Sequence, residues 1–129
     1  MKITNLNDAL EGSPMELPYF TGPTTSHPLH STTHPHTVNV SVVRFAAGSR
    51  NYWHRHAGGQ FLHVVEGEGW VQSRGEPAQR IHTGDSVSAD PGEEHWHGAG
   101  ESGAMAHIAV SVGEATFLEP SDAPDPTGS

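Results

Sequence analysis

The chain has 129 residues, enough for one domain that buries roughly two-thirds of the surface its unfolded form exposes. Its formal net charge is −9 at pH 7, with 15 acidic and 6 basic residues. It therefore lacks the basic surface that holds a phosphate backbone, which excludes nucleic acid as a partner. It contains no cysteine, so disulfides and thiolate metal sites are excluded as well.

Apolar segments are short throughout the chain. No stretch approaches the ~20 apolar residues of a membrane-spanning helix, and residues 1–8 lack the apolar core of a signal peptide. We therefore expect a cytoplasmic protein with no membrane partner. Only 33% of the residues are hydrophobic, while 15 are glycine and 10 are proline. This composition favours many short strands and tight turns over long helices.

The first 37 residues show no sustained periodicity, and prolines recur through them. Because proline cannot donate to a strand ladder or continue a helix, neither a long helix nor a central strand is expected here. We predict an N-terminal extended arm, with an edge strand at residues 19–20. Four histidines of this arm lie among Pro, Ser and Thr, and we interpret them as solvated loop residues rather than a second metal site. These are His27, His30, His34 and His36.

Residues 38–118 have the pattern of a β domain. Residues 38–45 are rich in β-branched side chains and partly alternate, residues 60–65 are apolar on both faces, and residues 105–112 form the last strong strand. Such strands, separated by glycine turns, predict a single all-β domain folded as a closed barrel or a double-sheet jelly roll. The acidic, proline-rich residues 119–129 predict a disordered tail.

Two histidine pairs dominate the middle of this domain. His54 and His56, like His95 and His97, are two residues apart, so each pair projects from one face of a strand. Histidines that converge from two strands make a site for a divalent transition metal. We predict that the ligands are three imidazoles and one amide oxygen, with open positions left for water or substrate. They are His54, His56, His95 and Gln60.

These residues carry a resemblance to the cupins, small β-barrels with two characteristic motifs. The first motif is matched with glutamine in the usual place of glutamate, by Gly48, His54, His56, Gln60 and Gly67. The second is matched by Gly84, Pro91, Gly92 and His95. It departs from the pattern by one extra residue before the proline, none between Pro91 and Gly92, and Ala99 where asparagine is usual. The resemblance covers roughly residues 38–112 and implies a cupin-type double-stranded β-helix, or jelly-roll barrel, with the metal inside.

Within the cupins the chain is similar to the small manganese-dependent hydroxynitrile lyases of bacteria. The likeness lies in the run from Trp53 to Gln60, in residues 91–99 and in the strand that contains His107. It implies that the glutamine is a ligand, that the histidine at position 107 faces the substrate, and that Mn²⁺ is favoured, with Fe²⁺ or Zn²⁺ as alternatives. Cupins are usually dimers or tetramers, and the apolar strand at 60–65 also favours a homodimer or homotetramer.

Glutamine at position 60 has a chemical consequence. Three histidines and a neutral amide leave a divalent ion with two net positive charges rather than one, which makes it a stronger Lewis acid. The swap also removes a carboxylate that could act as a base. Candidate catalytic bases are therefore His97, which shares a face with His95, and His107, on the last strand. His63 has the opposite parity to Gln60 and is predicted to face outward. The substrate pocket is predicted to include Ser41, Val43 and Ser111.

Three classes of function are compatible with these residues. The first is a lyase that cleaves a small cyanohydrin to an aldehyde and cyanide, and forms it in reverse. The second is a dioxygenase or isomerase that uses a metal in the same site. The third is a module that binds a small molecule without turnover. An inward histidine beside Gln60 favours the lyase.

Overall fold

The computed structural model describes residues 1–124, which form one short helix and thirteen strands. No helix among these residues is long and apolar enough to cross a membrane. In chain order the elements are α1 (Leu6–Ala9), β1 (Ser13–Pro14), β2 (Phe20–Thr21), β3 (Thr24–Thr32), β4 (Val38–Phe45), β5 (Arg50–Asn51), β6 (His54–His56), β7 (Gln60–Glu66), β8 (Glu68–Ser73), β9 (Gln79–His82), β10 (Ser86–Ala89), β11 (His95–Ala99), β12 (Met105–Val112) and β13 (Ala115–Phe117).

The strands form two antiparallel sheets. The six-stranded sheet has the order β1-β3-β4-β12-β7-β10. The seven-stranded sheet runs β13-β6-β11-β5-β2, and its strand β8 pairs with both β11 and β9. Between β7 and β11 the chain crosses from the six-stranded to the seven-stranded sheet at β8, returns at β10 and crosses again at β11. Such crossing between two sheets is expected for a jelly roll. The prediction of a single all-β domain of this type is confirmed.

Alternation along the central strands separates the barrel interior from its outer face. In β7 the side chains of Gln60, Leu62 and Val64 are buried, whereas Phe61 between them is exposed. In the six-stranded sheet β12 pairs with β4 over all eight residues and with β7 on its other side. Because successive side chains of a strand point to opposite faces, this register fixes which residues face the interior.

An apolar cluster fills one end of the barrel. It contains Phe45, Val64, Ile81, Ala99 and Met105, all buried. Burying each of the larger side chains contributes roughly 1.5–3 kcal/mol. Strand β12 begins in this cluster and runs toward the polar end of the interior, so its later inward residues are available for a site.

The N-terminal segment contributes more structure than expected. Strand β3 has nine residues and lies between β1 and β4, so the prediction that this segment holds no central strand is wrong. The ladder tolerates Pro28 because the register shifts between Pro28 and His30, at a bulge where the missing amide is not needed. His27 and His30 therefore lie on a strand rather than in a loop, whereas His34 and His36 lie between β3 and β4.

The segment after β13 is also ordered where the structure describes it. The Glu119 carboxylate accepts from Arg74 Nη2 at 2.7 Å, and the buried Ser121 hydroxyl donates to the carbonyl oxygen of Asn51 at 2.7 Å. Arg50 Nε donates in turn to the carbonyl oxygen of Ser121 at 3.0 Å. The prediction of a disordered tail is wrong for these residues, because specific polar contacts outweigh a disorder-prone composition. Residues 125–129 of the predicted tail lie outside the described part.

Apolar side chains also lie on the outer face of the six-stranded sheet. Phe61 is 45% exposed and lies opposite Val110 in the β7–β12 ladder, and Val110 lies opposite Val40 in the β12–β4 ladder. A contiguous apolar face of this kind is typical of a surface that contacts another chain. We propose that a second copy of the chain covers it.

We therefore predict a homodimer or homotetramer by light scattering at micromolar concentration. Phe61→Arg should shift the protein toward monomer without unfolding it, because the guanidinium would lose its water in the contact while the side chain is exposed in the single chain. Leu17→Arg is the matched control, since Leu17 is 50% exposed and lies outside the strands. A wild-type protein that is monomeric under these conditions would contradict the prediction.

Candidate metal centre

The four predicted ligands come together inside the barrel. The antiparallel pairing of β6 with β11 sets His54 directly opposite His95, and the centres of their rings are 4.4 Å apart. The ring centre of His56 lies 5.1 Å from that of His54 and 6.0 Å from that of His95. Gln60 enters from the other sheet, with its Oε1 2.8 Å from His95 Nε2. All four side chains are buried.

Backbone carbonyl groups orient two of the imidazoles. His54 Nδ1 lies 2.8 Å from the carbonyl oxygen of Tyr52, and His95 Nδ1 lies 3.0 Å from that of Glu93. A carbonyl can only accept, so in each ring Nδ1 carries the proton and the lone pair of the neutral imidazole is on Nε2. Metal-binding histidines are held in the same way, by a hydrogen bond from the other ring nitrogen. These two side chains therefore suit a divalent ion.

His56 and Gln60 add to this fit. Both ring nitrogens of His56 are buried, and neither has a hydrogen-bond partner among the described residues. An unsatisfied buried polar group costs about 1–3 kcal/mol, a cost that coordination to an ion would remove. Gln60 Nε2 donates to Ser111 Oγ at 2.9 Å, which directs the amide oxygen toward the histidines. The residues present therefore fit the metal that the cupin resemblance implies.

One histidine competes for a place among the ligands. The nitrogen atoms of His54, His95 and His97 lie within 4.8 Å of one another and form a group that could hold a divalent metal. The ring nitrogens of His97, however, already have neighbours, Asn51 Nδ2 at 3.3 Å and His107 Nε2 at 3.0 Å. Those of His56 have none. We therefore keep the prediction that the metal ligands are His54, His56, Gln60 and His95. His97 lies beside this group.

Burial keeps the histidines of this centre neutral. Loss of water, and next to it the neighbouring His95, lower the pKa of His54 to about 3. The pKa of His56 falls to about 4 for the same two reasons, and that of His107 to about 4, again mainly through burial. Burial also holds the pKa of His97 well below its usual value. Neutral imidazoles are the form that binds metals and accepts protons.

A cavity of about 150 Å³ leads to this centre, and we call it the substrate cavity. The predicted pocket residues Ser41, Val43 and Ser111 all line it, and Ser111 also positions Gln60. The lining is mostly apolar, and no Asp, Glu, Lys or Arg of residues 1–124 belongs to it. Other apolar members are Met15, Phe20 and Phe117, and the polar members at the centre are His54, His56, Gln60, His97 and His107.

The two predicted catalytic histidines form a pair at this cavity. His107 Nε2 and His97 Nδ1 are 3.0 Å apart, close enough to share a proton. His107 lies on β12 opposite Val43 of β4, which turns its ring toward the interior. Its other ring nitrogen, Nδ1, is buried and has no partner within residues 1–124. The pair can therefore accept one additional proton and move it between the two rings.

Two residues of the site were not predicted from the sequence. The Oδ1 atom of the buried Asn51 accepts from the backbone N–H of His97 at 2.9 Å, and its Nδ2 lies beside the ring. Phe117 pairs with His54 in the β13–β6 ladder and stacks on its ring, with centres 5.4 Å apart. Neither residue belongs to a motif, and both contact histidines that are distant in sequence. The sequence could have indicated them only through their position in short strands.

The lowered pKa values predict a loss of stability in acid for the metal-free protein. Below the ordinary histidine pKa of 6.5 the unfolded chain gains protons that His54, His56 and His107 resist when folded. Stability should therefore be complete above pH 6.5 and fall as the pH drops from there to about 4, by about 1.4 kcal/mol per pH unit for each such proton. Urea unfolding at pH 7.5, 6 and 5 measures this, and His107→Gln should reduce the slope. A flat profile would contradict it.

Comparison with known proteins agrees with this architecture. The cupin domain family matches residues 41–113. An (R)-mandelonitrile lyase from Granulicella tundricola is 44% identical over 92 residues, which cover 71% of this chain and 70% of that protein. A cupin-like protein from Thermotoga maritima has a TM-score of 0.78 at 36% identity, over 84% of this chain and 86% of that one. The polyketide cyclase RemF from Streptomyces resistomycificus, at 15% identity, shares the fold alone, with a TM-score of 0.74 over 97% of this chain and 88% of that one. The chain therefore belongs to the cupin domain family and is close to the hydroxynitrile lyases within it.

Proposed function

We propose that this protein is a metal-dependent hydroxynitrile lyase that cleaves an aromatic cyanohydrin to an aldehyde and hydrogen cyanide, and catalyses the reverse addition. The observation that carries the proposal is the pair of buried, neutral histidines, His97 and His107, which line a small cavity without charged side chains. His97 lies within reach of His54 and His95, with which it could share a metal. The similarity to an (R)-mandelonitrile lyase supports it. Mandelonitrile is the proposed substrate, and the similarity to an (R)-mandelonitrile lyase favours its R enantiomer.

The substrate cavity suits a molecule with one aromatic and one polar end. Phe20 and Phe117 offer aromatic surface to a phenyl ring, whereas the histidines of the lining offer polar groups to the hydroxyl and nitrile. Val43, opposite His107, and Ser41 would shape the space for the aldehyde. An uncharged lining also limits the water that reaches the inner end, which protects a cyanohydrin from competing reactions.

The ligands His54, His56, Gln60 and His95 would hold the metal, with Mn²⁺ favoured over Fe²⁺ and Zn²⁺. When bound, it supplies Lewis acidity that lowers the pKa of the substrate hydroxyl. Gln60 is neutral and adds no negative charge to the site. Nitrogen and oxygen ligands alone do not discriminate sharply among these ions, so elemental analysis of the purified protein decides the identity of the metal.

The histidine pair would move the proton that the reaction requires. A ring nitrogen of His107 or His97 takes the proton of the hydroxyl group, and the carbon–carbon bond breaks as the carbonyl forms. The electron pair of that bond leaves with cyanide, which takes the proton back from the imidazolium. Because burial disfavours the imidazolium, it is a good donor to cyanide, the conjugate base of a weak acid.

The decisive experiment is release of benzaldehyde from mandelonitrile by the metal-loaded protein, followed by absorbance. A metal-stripped sample and a His54→Ala variant are the controls, and both should show only the background rate. Equal release in all three samples would refute the proposal. Consumption of dissolved oxygen with a candidate substrate, without cyanohydrin cleavage, would move the assignment to the oxygenases.

His107→Ala should reduce the rate of mandelonitrile cleavage by about 10²–10⁴-fold, the usual loss when general acid–base help is removed. The variant should keep its metal, because His107 is not among the predicted ligands. Steady-state kinetics together with elemental analysis measure both quantities. His63→Ala is the matched control: this histidine lies on the adjacent strand, outside the cavity, and bonds to Ser86. An active His107→Ala protein would leave the chemistry to His97.

Gln60→Glu should retain the metal, held more tightly by the added negative charge, and should cleave mandelonitrile more slowly. The carboxylate would offset one positive charge at the site and so weaken the acidification of the hydroxyl group. Manganese titration and kcat measured at full occupancy separate the two effects. If kcat is unchanged at full metal content, the charge at this position does not matter for the reaction.

A further inference from the structure

A second cavity borders the same centre at Gln60 and His95. It has a volume of about 410 Å³ and lies between β9 and β10, which are edge strands of the two different sheets. We call it the β9–β10 cavity. Gln60 lines both this cavity and the substrate cavity, and His95 lines this one only. The contact of Gln60 Oε1 with His95 Nε2 and the hydrogen bond of Gln60 to Ser111 thus form a partition between the two spaces.

The two cavities differ in charge. The substrate cavity has no charged lining residue among those that the structure describes, whereas Asp85 and Glu93 line the β9–β10 cavity. Asp85 Oδ2 accepts from the backbone N–H of His82 at 2.7 Å, which leaves Glu93 as the acidic group nearest to the ligands in sequence. Arg80 also lines the latter, but its guanidinium stacks on Trp70 at 4.4 Å and pairs with Glu68 at 3.6 Å. Its charge is therefore compensated outside the cavity. With Arg80 compensated in this way, the acidic residues of the lining favour a cation.

Glu93, two residues before the predicted ligand His95, is held in place in the lining of this cavity. Its Oε2 accepts from Ser73 Oγ at 2.6 Å, and its Oε1 accepts from the backbone N–H of Asp90 at 2.9 Å. The carbonyl oxygen of the same residue accepts from His95 Nδ1. The carboxylate is thus rigidly placed two residues from a predicted ligand, and each of its oxygens keeps a free lone pair.

We propose that the β9–β10 cavity is the path by which a hydrated divalent cation reaches the ligands, with Glu93 as the carboxylate that first receives it. The proposal rests on the metal site of the proposed function. It assigns the organic substrate and the metal ion to different cavities. The organic molecule enters through the apolar cavity, and the cation through the polar one. Oxygen groups such as those of Glu93 and Ser73 can replace water around a Mn²⁺ ion as it advances.

A larger side chain in the path tests the route directly. Val87 lines the β9–β10 cavity, so Val87→Phe should slow the uptake of Mn²⁺ by the metal-stripped protein. It should slow release to a chelator by the same factor, because a narrower path changes both rates and leaves the affinity unchanged. Val43→Phe is the matched control, since Val43 lines the substrate cavity instead. It should leave uptake unaltered. The EPR signal of free Mn²⁺ measures both rates, independently of enzyme activity.

The carboxylate is tested by a pair of neighbouring variants. Glu93→Gln should slow Mn²⁺ uptake roughly tenfold and make it less sensitive to ionic strength, because steering by a charge is screened by salt. Glu94→Gln removes the same charge one residue away, where the carboxylate pairs with Arg74 outside the cavity. Its uptake rate should match that of the wild type. These variants also decide the question if Val87→Phe fails to fold.

Three outcomes would overturn the inference. Folded Val87→Phe and Glu93→Gln proteins that take up Mn²⁺ at the wild-type rate would show that the ion does not use this cavity. Slow uptake in Val43→Phe would assign the ion to the substrate cavity. If the wild-type protein binds no divalent ion at all, the metal site fails, and the proposed function fails with it. The first two results leave the proposed function intact.

Discussion

The register between β6 and β11 determines the rest of the site. By setting His54 opposite His95, it brings two imidazoles from different motifs within contact and buries both. Burial removes water from their nitrogens, so each ring must remain neutral and find a partner for every polar atom. Backbone carbonyls satisfy Nδ1 in both rings. The remaining nitrogens face one another and Gln60, an arrangement of lone pairs that a cation stabilises.

The strands around this centre could largely be predicted from the sequence. The spans expected at 38–45 and 105–112 are those of β4 and β12, because β-branched alternation is a strong local signal. The two i, i+2 histidine pairs also lie on strands, as their spacing indicated. Parity alone, however, places His97 on the same face as His95, so the sequence could not separate a ligand from a catalytic base. The unpartnered nitrogens of His56 favour it as a ligand, although His97 also lies within reach of His54 and His95.

The parts that could not be predicted depend on contacts between residues distant in the chain. Pro28 argued against a strand, yet the bulge beside it removes the conflict with the β3–β4 ladder. The composition after residue 118 indicated disorder, but Ser121 is anchored to Asn51 and Glu119 to Arg74. Asn51 thus joins this terminal segment to the backbone of His97. None of these pairings has a local sequence pattern from which it could be inferred.

The walls of the substrate cavity have two different origins. The histidines and Val43 lie within residues 41–113, the part matched by the cupin family. Met15, Phe20 and Phe117, which supply the apolar surface, lie in segments that flank that part on either side. The rings of Tyr19 and Phe117 stack with their centres 4.3 Å apart, so the two flanks are in contact with each other. Selection can therefore reshape the volume of the cavity by exchanging side chains on the flanks, while the histidines of the barrel remain unchanged.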